Sequence, residues 1–129
     1  MTTKLRSGII GCGGIGKSHV YGYMHSEKYE FVAMADLSKT AMEEYDTLFR
    51  DFEHYKPTHY SDAREMLDNE SLDVVSVATW HTGHSTWTKA AAAATPKAIL
   101  CEKPMALDIG SADEMIEVCQ RSDVKLAIS

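Results

Sequence analysis

The sequence predicts an α/β fold: one three-layer domain in which a doubly wound parallel sheet carries helices on both faces. Three observations support this. Short apolar runs alternate with longer helical patterns from one end of the chain to the other. The runs are continuously apolar and not alternating, as strands buried on both faces are. A glycine-rich turn joins the first run to the first helix. Right-handed crossovers then leave the doubly wound arrangement as the economical topology.

In chain order, Leu5 to Ile10 carries Leu5, Ile9 and Ile10 and stops at Gly11, a buried strand. Ile15 to Ser26 follows as a helix, and Phe31 to Ala35 is a second strand ending at Asp36. From Ser38 to about Asp51, Ala41, Met42, Tyr45, Leu48 and Phe49 recur at helical spacing. A short extended piece at Thr58-His59-Tyr60 leads into a helix near Ser61 to Leu67. There Asp62 and Glu65 are spaced as a capping box, with Ser61 as a competing cap. Asp73 to Ala78 is the clearest strand, and a helix from about Ser85 to Ala94 ends before Pro96. Its alanine run favours helix over linker, because alanine is the best helix former. Ala98 to Cys101 reads as the fifth strand. Ser111-x-x-Glu114 opens a helix reaching about Arg121, and Lys125 to Ile128 is the sixth strand.

At 129 residues, the chain is expected to form a single domain over 1–129 with an ordinary buried core. Hydrophobic residues at 44% and charged residues at 25% are globular proportions. Thirteen basic against nineteen acidic residues give a formal charge of −6, so no general attraction draws the chain to nucleic acid or an anionic membrane. No apolar run approaches the roughly 18–20 residues of a spanning helix. Met1 to Arg6 reaches Gly8 and Gly11 too soon for the apolar stretch of a signal peptide. Three scattered cysteines argue against a disulfide framework and for a reducing, cytoplasmic location.

The chemistry-bearing motif is Gly11-Cys12-Gly13-Gly14-Ile15-Gly16, a G-x-G-x-x-G pattern between a strand and a helix. Gly11 permits the tight turn, Gly13 lets backbone approach a pyrophosphate, and Gly16 lets the helix pack on the strand. The free amides and positive dipole of that helix's first turn receive phosphate charge without a basic side chain. An acidic chain can therefore hold a polyanionic cofactor. Asp36 ends the second strand 20 residues after Gly16, where a carboxylate accepts hydrogen bonds from an adenosine ribose. Its charge repels a 2′-phosphate, which favours NAD, while Ser38 and Lys39 leave NADP open. S-adenosylmethionine enzymes and flavoproteins share parts of this signature.

Together with His19, Ala35-Asp36, Asp73-Val74-Val75, Thr79 to His84 and Cys101-Glu102-Lys103-Pro104-Met105-Ala106-Leu107, the glycine loop resembles the glucose–fructose oxidoreductase/inositol dehydrogenase (Gfo/Idh/MocA) family. The resemblance spans essentially the whole chain but only the amino-terminal half of a family member. It implies a Rossmann fold and hydride transfer between NAD(P) and a hydroxyl or carbonyl carbon of a sugar or polyol. It also implies that Lys103 lies near the nicotinamide as acid/base, that Glu102 helps position the cofactor and that Pro104 sets the lysine's backbone direction. Thr79, Trp80 and His84 join Gly11, Gly13, Gly14, Ile15, Gly16, Asp36, Glu102 and Lys103 as the expected cofactor contacts.

Two departures stand out. Thr79-Trp80-His81-Thr82-Gly83-His84 occupies the place where the family commonly has Thr-Pro-Asn and a later histidine. His84 matches that histidine, and Trp80 is a candidate for the nicotinamide edge. His81-x-x-His84 lacks a cysteine or carboxylate pattern to complete a metal site, so no metal is expected. Cys12 reads as a packed bystander, and Cys101 and Cys119 as core. The family's carboxyl-terminal α/β domain, which supplies substrate contacts and the association surface of its oligomers, has no counterpart here. The chain is thus expected to be a cofactor domain with little turnover alone, or else a stand-alone NAD(H)-binding regulatory or docking module.

Overall fold

The computed structural model describes residues 3–129. Six strands form one sheet: β1 (Leu5–Ile10), β2 (Tyr29–Ala35), β3 (Thr58–Tyr60), β4 (Val74–Val77), β5 (Ala98–Cys101) and β6 (Lys125–Ile128). Their order is β3-β2-β1-β4-β5-β6, and every neighbouring pair is parallel. The connecting helices are α1 (Gly16–His25), α2 (Lys39–Phe49), α3 (Ala63–Asn69), α4 (His84–Ala93) and α5 (Ile109–Arg121), with a single 3₁₀ turn, His81–Gly83, before α4.

The strands divide two cores between their faces, alternating along β1 and β4 and shifting by one residue in β2, where its register with β1 slips between Ser7 and Gly8. Ile9, Phe31 and Met34 pack with Val20, Met42, Tyr45 and Phe49 from α1 and α2. Ile10, Val32 and Val77 face the other way, onto Met66, Ala91 and Met115 from α3, α4 and α5. Apolar residues at successive strand positions are what a strand covered on both sides requires.

Of the two capping boxes the sequence offers, one keeps its expected cap and the other does not. The Asp62 side chain caps α3 by accepting from the Arg64 amide at 2.9 Å, one residue earlier than a capping-box partner. At α5 the cap is Asp108, which accepts from the Ser111 amide at 2.7 Å, so Ser111 lies inside the helix. Among the described residues no helix is long and apolar enough to cross a membrane.

The chain leaves β1 toward β2 and β3 on one side and returns to β4, β5 and β6 on the other. The crevice at the carboxyl ends of β1 and β4 is therefore the topological switch point, where open α/β sheets place ligands.

Candidate functional site

The turn after β1 combines a rigid base with an open upper surface. Gly11 has φ +96°, and a Cβ there would stand 2.6 Å from the Ala78 carbonyl oxygen at the end of β4. At Gly16 a Cβ would strike the Tyr45 hydroxyl and crowd the Gly11 oxygen and Ile9 Cδ1, both at 3.0 Å. These two glycines allow α1, β1 and β4 to meet closely. Gly13 and Gly14 behave differently: no atom lies within 4 Å of where their Cβ would be. Tyr45 braces the loop from beneath, its hydroxyl donating to the Gly13 carbonyl at 2.6 Å.

Asp36 holds the same loop from the side. One carboxylate oxygen accepts from the Cys12 amide and the other from the Ser38 amide, each at 2.7 Å. Each oxygen keeps a further lone pair for a ligand hydroxyl. Ser38 in turn caps α2 through the Ala41 amide. Cys12 is 3% exposed, and burial, with the charges of Asp36 and Asp46 adding to it, pushes its thiol well above the ordinary range. That is inert, packed sulfur, not an activated nucleophile.

Above the loop lies a cleft of about 770 Å³. Gly11, Gly13, Gly14, Ile15, Asp36, Thr79 and Trp80, all expected cofactor contacts, are among the residues lining it. Further lining comes from Leu37, Ser61, Asp62, Thr82 and Trp87, none of which the sequence marks as a cofactor contact. Leu37 is 95% exposed and Trp80 82%, so large apolar side chains stand in solvent at the rim.

Gly16, His84, Glu102 and Lys103 are not in this lining. Lys103 is exposed in the loop after β5. Glu102 is buried: its Oε1 lies 2.7 Å from His19 Nε2, and its backbone N–H donates to the Val77 carbonyl at 3.0 Å. Burial opposes its charge, but His19, the Lys103 amide and the Ser129 hydroxyl outweigh burial and hold the carboxyl below the ordinary glutamate range. His19 Nδ1 sits 2.9 Å from Ser76 Oγ, which also meets the Tyr23 hydroxyl. A donor path Tyr23 to Ser76 to His19 to Glu102 satisfies every member with a neutral ring. His84 is 1% exposed; its Nδ1 donates to the Pro104 carbonyl at 2.6 Å, and Nε2 faces the Thr79 carbonyl at 3.1 Å. The described residues include no cluster of three or more His, Cys, Asp or Glu side chains arranged to hold a metal.

The residues present fit a dinucleotide. Gly13 and Gly14 leave room for pyrophosphate at the start of α1, Asp36 stands at the end of β2 for a ribose, and the cleft has the size of a small-molecule site. Fold and site together define an NAD-binding Rossmann domain of the oxidoreductase class.

Comparison with known proteins agrees. The profile described as "Oxidoreductase family, NAD-binding Rossmann fold" matches residues 5–129, and the chain belongs to this Gfo/Idh/MocA family. It is 30% identical over 125 residues to D-apiose dehydrogenase of Paraburkholderia graminis, covering 97% of this chain and 32% of that protein. Myo-inositol 2-dehydrogenase of Thermotoga maritima is 30% identical over 122 residues, covering 95% and 35%. Among solved structures, the WlbA dehydrogenase of Bordetella pertussis, in complex with NADH and UDP-GlcNAcA, superposes with TM-score 0.87 at 25% identity, covering 98% of this chain and 37% of that one. The chain thus spans about a third of the length of the curated relatives it matches.

Proposed function

We propose that this chain is the cofactor half of a sugar- or polyol-type dehydrogenase, with Lys103 as the acid/base. The observation that carries this reading is the placement of Lys103: an exposed side chain just past the carboxyl end of β5, on the same sheet edge as the glycine loop, directly after the buried Glu102. The relatives named for D-apiose and myo-inositol support a polyhydroxylated substrate.

The nicotinamide, when bound, accepts or supplies a hydride. Gly13, Gly14 and the first turn of α1 hold the phosphates, and Asp36 takes the ribose hydroxyls. In the oxidative direction the Lys103 amine removes the hydroxyl proton as hydride leaves the same carbon; in reduction the Lys103 ammonium returns that proton. Substrate contacts, and the family's association surface, are assigned to a second domain. The three buried, unpaired thiols suit a reducing cytoplasm.

Calorimetric titration tests the reading. NADH is expected to bind saturably, while a panel of sugars and polyols yields no NADH from NAD with this chain alone. Asp36→Ala should weaken NADH by about tenfold or more and NADPH less, as loss of a charge-assisted hydrogen bond does. Equal loss for both nucleotides would remove Asp36 from ribose recognition. No NADH binding by folded chain would overturn the proposal.

A further inference from the structure

We infer that His19 and His84 are positioning residues that hold the Lys103 loop from opposite faces of the sheet. This rests on the reading of Lys103 as the proton-transferring group beside the nicotinamide. The Lys103 side chain is exposed, but the backbone on either side of it is tied down. On one side the preceding residue is fixed twice: His19 of α1 holds the Glu102 carboxylate at 2.7 Å, and the Glu102 N–H donates to the Val77 carbonyl at 3.0 Å. On the other side the Pro104 carbonyl accepts from His84 of α4 at 2.6 Å. The helices carrying the two histidines belong to different cores, so the loop is gripped from both layers.

Neither ring is placed for packing alone. A purely structural core would fill both sites with apolar side chains, because a buried polar group left unpaired is costly. Here both His19 nitrogens have hydrogen-bond partners, and His84 donates from Nδ1 to the Pro104 carbonyl while its Nε2 lies against the Thr79 carbonyl. His84 also spans two loops: Nε2 faces Thr79, which lines the cleft, and Nδ1 holds Pro104, next to Lys103. His19 lies one turn beyond Gly16, so its grip on Glu102 connects the phosphate-binding turn with the lysine loop. His84 therefore serves the nicotinamide end through Lys103, in place of direct contact.

The test compares NADH with ADP-ribose, which lacks the nicotinamide, on the 129-residue chain. Lys103→Ala sets the reference and should weaken NADH about tenfold while changing ADP-ribose less than about twofold. His84→Phe, which keeps shape and removes both nitrogens, should produce the same selective loss and add nothing to Lys103→Ala in the double variant. His84→Asn places an amide where Nδ1 sits and should restore NADH; His84→Gln, reaching only the Nε2 position, should not. His19→Gln should likewise retain what His19→Phe loses. The Asn and Gln pair decides the matter if the Phe variants do not fold. Should Lys103→Ala be selective while the histidine variants are silent, or lose both ligands equally, the positioning role falls and the lysine reading stands. A silent Lys103→Ala overturns both.

Discussion

Gly11 and Gly13 stand two positions apart in the same turn, yet a methyl group would meet a carbonyl at the first and nothing at the second. Substitution should separate these roles. Gly11→Ala forces a side chain onto a backbone at φ +96° and into the Ala78 carbonyl, and should destabilise the chain by about 1–3 kcal/mol or more. Gly13→Val should leave the unfolding free energy from urea titration unchanged within about 0.5 kcal/mol, while abolishing NADH binding. A Gly13→Val protein that unfolds early would mean the space above the loop is not reserved for a ligand. The spacing of the glycines was legible in the sequence because the turn at Gly11, the open approach above Gly13 and the close packing at Gly16 each call for a residue without a side chain. The second task of Asp36, bonding the Cys12 and Ser38 amides, was not legible, since it depends on where β2 ends relative to the loop.

Between elements, the contact with the largest consequence is the one from α1 to the loop after β5. The folded Glu102 carboxyl lies below its ordinary range, held there by His19 and the Lys103 amide against the opposing effect of burial. A depressed carboxyl contributes stability above its unfolded value and loses it as pH falls through the folded value. The chain is therefore expected to weaken on acidification below the ordinary glutamate range. Glu102→Gln should cost about 1–3 kcal/mol near neutral pH and flatten that acid limb. Urea midpoints between pH 7 and pH 3 read both effects, and an unchanged acid limb would remove Glu102 as its source. The strands and most helices followed from apolar periodicity, whereas helix starts were harder. Ser111-x-x-Glu114 has the pattern of a capping box, but Asp108 already caps α5 three residues earlier. Two polar residues compete for one helix start, and only the backbone angle of the preceding loop decides between them.

At the scale of the whole molecule, the doubly wound parallel sheet followed from the alternation of elements and the handedness of crossovers. What sequence could not supply was the meeting of residues far apart in the chain, such as His19 and Glu102, separated by 83 positions. His19 and Glu-Lys-Pro could be quoted as separate motifs, but only the sheet brings α1 and the end of β5 together. The same folding distributes the three thiols in a way that makes them clocks. Cys12 belongs to the core under α1 and α2, whereas Cys101 and Cys119 belong to the core under α3, α4 and α5. A thiol reagent reaches each sulfur only when its layer opens, so labelling followed by mass spectrometry reports the two layers on separate channels. If the domain opens as one unit, all three sites should react at one rate. NADH should then slow them equally, because a ligand bound only to the folded state suppresses every global opening by the same factor. Faster reaction at Cys12, slowed by NADH while the other two are not, would instead reveal that the nucleotide-binding layer breathes by itself.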